Sequence, residues 1–246
     1  MAEMKGVILG ISPNTSIVDI SHDVEKFNVR MAAYTLASAA PYFSEGTVHV
    51  AVVDPGVGTK RRAILIQTHR AFYVGPDNGV LALAARSQGI EHVFKITNPK
   101  FKLPVVSTTF HGRDIFAPAA AHLSKGVQPA EFGQEIRGIS LVPFARIVRA
   151  KNMLVGEVLH TDGFGNIITS FSQGEVQSTG AKSKIGVKLK SRRLTLNLCK
   201  SYAEAKKNDA LAIVGSHGFL EISINQGNAA SSLGVKTGDK VTLFRA

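Results

Sequence analysis

At 246 residues, 44% hydrophobic and 19% charged, the chain has the composition of an ordinary globular protein and the length for one large domain or two modest ones. No apolar run reaches the roughly 18 residues that span a bilayer, no basic-then-apolar leader opens the sequence, and the lone Cys199 excludes an internal disulfide framework and a thiolate metal cluster. A cytoplasmic location without a membrane partner is expected, and the +11 charge, concentrated in residues 182–207 without interleaved aromatics for base stacking, reads as a solvated face and disfavours nucleic acid.

In chain order, residues 6–11 and 17–20 read as strands joined by a turn at Pro13-Asn14. The alanine-rich stretch 28–40 reads as a helix that Pro41 stops. The β-branched run 47–53 is typical of a strand buried on both faces. Strands at 63–67 and 71–74, a short helix at 79–86, a strand at 92–96 and a helix at 113–125 with Gly126 as its stop complete an alternation that argues an α/β sandwich around a central sheet. The composition shifts after Pro143, which divides the chain into an N-terminal domain, 1–145, and a C-terminal domain, 152–246. Short strands dominate the second: 154–160, 167–170, 185–190, 194–198, 210–214, 220–224 and 240–244, with a helix at 228–233 capped by Gly234. That pattern predicts a small β-barrel or β-sandwich. Cys199 lies in an alternating segment and reads as a small core residue.

Four glycine-bearing polar clusters interrupt these patterns: DPGVGTKRR at 54–62, GPDNG at 75–79, FHGRD at 110–114 and DGFGN at 162–166. The first two follow strands, where open α/β sheets line their ligand crevices. Each is also ordinary turn chemistry on its own. The first lacks the spacing of a phosphate loop, and no GxSxG elbow is present. A metal site could recruit Asp54, Asp77, His111 and Asp114, but no HxH, HExxH or CxxC spacing supports it, and Arg61, Arg62 and Arg113 would repel a cation, so no metal is expected. His49 reads as a hydrogen-bonded core histidine, and His22 as a cap or a pocket-lining residue. His111, at a helix start, is favoured as a neutral imidazole able to accept a proton.

Together these stretches resemble the S-adenosylmethionine (SAM) hydroxide adenosyltransferases, relatives of SAM-dependent chlorinases and fluorinases. The resemblance runs in order through MKGVILGISP (4–13), IVDISHDV (17–24), GTVHVAVVDPGVGTKRRAI (46–64), VGPDNGVL (74–81), STTFHGRDIFAPAAAHL (107–123), DGFGN (162–166) and GSHGFLEISINQGNAASSLG (215–234). It implies hydrolysis of SAM to adenosine and methionine, with no cofactor, by a homotrimer whose sites lie at subunit interfaces. The resemblance puts the water-handling set on Asp54, Arg61 and His111, and substrate binding on Asn78, Asp162, Phe164, Asn166, Ser216 and Glu221. Phe164 would stack on adenine, and Asp162 or Glu221 would meet the substrate ammonium.

Halogenating relatives carry a tyrosine at the position of Asp54, and the halide-binding serine of fluorinases aligns with Gly112. A carboxylate beside the reacting carbon repels a halide but holds a water, which favours the hydrolytic branch. A SAM halogenase, or a SAM- or nucleoside-binding protein with impaired turnover, are the alternatives. Relatives usually begin with a further strand and a Thr-Asp-Phe-Gly motif that would bind the ribose. The sequence here opens beyond it, so an upstream start in the same reading frame is expected.

Overall fold

The computed structural model describes residues 1–141 and 147–246. It divides into two compact units, Met1–Leu141 and Val142–Ala246. The expected boundary, near residues 145–152, falls partly outside the described residues.

The first unit is built on a four-stranded sheet in the order β1-β3-β2-β4, with β1 Thr47–Val50, β2 Ala63–Thr68, β3 Ala71–Pro76 and β4 Ile90–Lys95. β1 runs parallel to β3, and β2 is antiparallel to both β3 and β4. Ile64, Leu65 and Ile66 are all buried because both faces are covered. On one face, Ile64, Ile66 and Tyr73 pack against Leu36 of α2 (Val29–Ala39) and Ala84 of α3 (Ala82–Ser87). On the other, Leu65 and Val74 meet Phe116, Ala120 and Leu123 around α4 (Ala117–Ser124). The outer edge of β4 bonds main chain to main chain with residues 134–136, whereas β1, among the described residues, pairs only with β3.

Three expectations for this unit are corrected. Residues 6–11 form no strand but lie within α1 (Ala2–Ile11), which packs on α4. Met4, Val7, Ile8 and Ile11 are its half-buried apolar side chains, and their spacing is that of one helix face. The β-branched residues suggested a strand, but the periodicity and the α4 surface decide the outcome. Residues 17–20 join no sheet. The helix expected at 113–125 opens instead as a π-helical turn, Gly112–Phe116, before α4 begins.

In the second unit seven strands close into a barrel in the order β12-β8-β9-β10-β11-β7-β6, sealed by the pairing of β12 with β6. These are β6 Met153–Thr161, β7 Ile167–Ser172, β8 Lys184–Leu189, β9 Arg192–Cys199, β10 Ala210–Val214, β11 Phe219–Ile224 and β12 Lys240–Arg245. Closure removes the open edges that a sheet of this size would otherwise expose. A short β5, Val148–Ala150, adds to β6. The interior is filled by Val158, Ile167, Phe171, Ile185, Val187, Leu220 and other apolar side chains. Helix α5, Gln173–Ser178, which the sequence reading did not anticipate, starts at a reciprocal cap between Ser172 and Glu175. Helix α6, Ala229–Leu233, starts on Asn228 and stops at left-handed Gly234. No described helix is long and apolar enough to cross a membrane.

Candidate active site

The loop after β1 stays bonded to β3 through Ala51, turns at 54–59 and re-enters the sheet at β2. That path brings Asp54 and Arg61 face to face. Arg61 Nε donates to Asp54 Oδ1 at 3.0 Å and Oδ2 at 2.9 Å, and its Nη2 makes a shorter contact with Oδ2. Arg61 Nη2 also lies 2.8 Å from His111 Nδ1, and the guanidinium rests 5.2 Å above the Phe116 ring. The Asp54 and Arg61 side chains are only 4% and 10% exposed, so this is a desolvated pair and its hydrogen bonds are strong. The three residues that the sequence separates by up to 57 positions form one chain of contacts centred on Arg61.

Because a guanidinium can only donate, His111 must accept at Nδ1, and the neutral ring therefore carries its proton on Nε2. Burial, and then the Arg61 charge, push the His111 pKa below its ordinary value. Close backbone contact between two loops makes the meeting possible. Gly58 has φ +76°, and a Cβ there would overlap the Thr108 carbonyl in the segment leading to His111.

Asn78 turns toward the protein in this arrangement. Its Nδ2 donates to the Val53 carbonyl at 2.8 Å, and its Oδ1 accepts from Val80 N at 3.1 Å. It thereby holds the residue preceding Asp54. Asp77 binds Arg62 and accepts the Ser140 N–H at 2.6 Å, contacts that sequence spacing did not suggest. Asp54, Asp77 and Asp114 thus each hold an arginine rather than converging on one another. His22 pairs with Asp19 at 3.0 Å and lines a cavity of about 500 Å³ that also touches Phe27, Leu36, Val52 and Asp54. That volume falls within the roughly 300–1,000 Å³ common for small-molecule sites. His49 is buried as expected, but its Nε2 finds no hydrogen-bond partner among the described residues.

In the second unit, Asp162 organises its own loop. Oδ1 accepts the Phe164 and Asn166 N–H groups, both at 2.9 Å, and Oδ2 accepts Asn166 Nδ2 at 2.8 Å. Gly165, at φ +85°, lets this loop turn, and Phe164 beside it is 82% exposed. Glu221 is buried, accepts the Tyr202 hydroxyl at 2.8 Å and lies over Gly215, where a Cβ would overlap its carboxylate. Burial pushes its carboxyl upward, and the nearby Asp162 charge adds to the shift. Ser216 sits exposed in the β10–β11 turn. Tyr202 was not identified from the sequence, and a tyrosine in a short turn gives no signal that it reaches a carboxylate on another strand.

Residues 1–133 match the SAM hydroxide adenosyltransferase N-terminal domain, and residues 156–242 match the C-terminal domain of the same family. The chain belongs to the SAM hydroxide adenosyltransferase family. It is 39% identical to an (R)-S-adenosyl-L-methionine hydrolase of Thermus thermophilus, over 99% of this chain and 94% of that protein. It is 36% identical to an (R)-S-adenosyl-L-methionine hydrolase of Methanocaldococcus jannaschii, over 98% and 89%. A crystal structure of an uncharacterized conserved protein from Thermotoga maritima superimposes with a TM-score of 0.86 at 35% identity, covering 99% of this chain and 94% of that one. Among SAM hydroxide adenosyltransferases, then, this chain is related along nearly its whole length.

Proposed function

We propose that the protein hydrolyses SAM to adenosine and L-methionine, and that the observation carrying this reading is the Arg61 fork joining the Asp54 carboxylate to the His111 imidazole. The sulfonium needs no protonation, since methionine departs as a neutral thioether. What remains is to place a water behind C5′, opposite sulfur. Asp54 accepts one water hydrogen and orients it, and Arg61 fixes that carboxylate and stabilises the developing hydroxide. His111 Nδ1 exchanges its Arg61 contact for the water proton, and the ring leaves the step as imidazolium. Alignment supplies up to roughly 7–11 kcal/mol and proton removal about 10²–10⁴-fold.

Substrate binding falls to Asn78, Asp162, Phe164, Asn166, Ser216 and Glu221. The exposed Phe164 ring suits adenine stacking. Glu221, a buried carboxylate near Asp162 that accepts a hydroxyl and, among the described residues, has no ion pair, suits the substrate ammonium. The relatives' names specify the (R) sulfonium epimer, and we extend that preference to this chain. We further propose a cytoplasmic homotrimer with each site at a subunit interface, and turnover without metal or cofactor. The halogenase alternative is disfavoured at Asp54, whose carboxylate would repel a halide, and at Gly112, which lacks the hydroxyl of the halide-binding serine of fluorinases.

The test is incubation of the EDTA-treated protein with each SAM epimer in chloride buffer, with products resolved by chromatography. Adenosine and methionine, formed from the (R) epimer and lost in Asp54→Asn, are expected. Chlorinated adenosine, or full turnover by Asp54→Asn, would overturn the assignment.

A further inference from the structure

Asp114 follows His111 by three residues, inside the π-helical turn, and its side chain is completely buried. A buried carboxylate is retained only when its acceptors are filled. Here Oδ2 accepts the Ser107 N–H at 2.8 Å, and Oδ1 accepts Arg113 Nε at 2.7 Å. The Asp114 main chain makes two more links, donating to the Phe110 carbonyl at 3.1 Å and accepting from Leu103 N at 2.9 Å. Ser107 Oγ in turn accepts the Phe110 N–H at 3.0 Å. The segment 103–110, which approaches Gly58 through Thr108 and delivers His111, is therefore tied at several points to one aspartate. Arg113 continues the network outward, stacking 5.0 Å from Phe110 and reaching Glu3 at 3.0 Å.

We infer that Asp114 is a positioning residue of the hydrolytic site, whose buried carboxylate locks the 103–110 segment to the π-helical turn and so holds the His111 imidazole against Arg61. The inference rests on the proton-accepting role given to His111. The charges facing that imidazole are Arg61 and Lys102, which lower its pKa, and Asp54 and Asp114, which raise it, while burial lowers it most. Asp114 therefore acts on His111 in two ways, by geometry and by charge. Burial alone would push the Asp114 carboxyl upward, but the Arg113 and Ser107 hydrogen bonds prevail and keep it below its ordinary value and charged.

Two variants of the full chain separate this from a merely structural role. Asp114→Asn keeps an acceptor for the Ser107 N–H but removes the negative charge. Arg113→Gln keeps that charge and removes the cation that offsets it. Turnover of SAM is measured with the His111 titration followed by NMR, its signal assigned with His111→Gln. Asp114→Asn is expected to lower kcat about tenfold with KM within about twofold, a positioning signature, and to move the His111 titration down. Arg113→Gln is expected to move that titration up. Shifts of the same sign in both variants, or wild-type kcat and titration in Asp114→Asn, overturn the inference. If Asp114→Asn does not fold, an unmoved titration in Arg113→Gln does so. Full turnover by His111→Gln would instead remove the role of His111 while leaving the titration shifts to report on Asp114.

Discussion

Arg61 presents a flat fork of donors to a carboxylate and an imidazole at once, which the single ammonium of a lysine could not do in that geometry. Its hold on Nδ1 has a consequence for pH. Burial and the Arg61 charge favour the neutral imidazole, the only form that can take a proton from water. Acidification protonates the ring and removes the acceptor. The rate is therefore expected to fall as a single-proton limb centred below 6.5, the ordinary histidine value, and to be level above it. A kcat–pH profile checks this, and a limb centred above 6.5 would contradict the assigned environment. None of this could be read from spacing: Asp54, Arg61 and His111 were brought together by the family resemblance, because seven and fifty intervening steps of chain carry no geometric information by themselves.

At the scale of elements, the site depends on two loops that touch backbone to backbone. Gly58 combines a left-handed φ with a position against the Thr108 carbonyl. Gly58→Ala is expected to cost about 1–3 kcal/mol of stability and to depress kcat more than KM, because the loop bearing Arg61 must withdraw from the one bearing His111. Thermal melting with steady-state kinetics checks both. The barrel strands were legible because alternation and closely spaced turn residues leave few other readings, as in β8 and β9. Helix α1 was not, because Val7, Ile8 and Ile11 favour a strand by type and a helix by spacing, and only α4 reveals which face is buried. The π-helical turn was equally hidden: an extra residue in a helical turn leaves no mark on apolar periodicity. In the DGFGN loop, the residue types suggested a binding site, but the consumption of Asp162 by Phe164 and Asn166 became visible only with the fold.

For the whole molecule, His49 links acid sensitivity to the first core. Stacked 5.0 Å from Tyr73 and edge-on to Phe43 at 5.3 Å, it is buried so deeply that its pKa falls from 6.5 to about 4. The unfolded chain thus binds a proton more readily than the folded one between those values. Stability from this residue is complete above about pH 6.5 and is lost as pH falls toward about 4, on the order of 3 kcal/mol. His49→Phe, which keeps an aromatic ring beside Tyr73, is expected to flatten the decline of Tm across that window. An equally steep decline in the variant would place the acid sensitivity elsewhere.

The two borders of the first sheet differ in another respect. β4 is flanked by main chain from 134–136, whereas the far side of β1 faces cavities of about 500 and 380 Å³. In deuterated solvent, the amides of Val48–Val50 that point away from β3 should lose their hydrogens sooner than any in β2, since among the described residues no neighbouring strand carbonyl must be released first. The strand that leads directly to Asp54 would then be the part of this sheet that opens most readily.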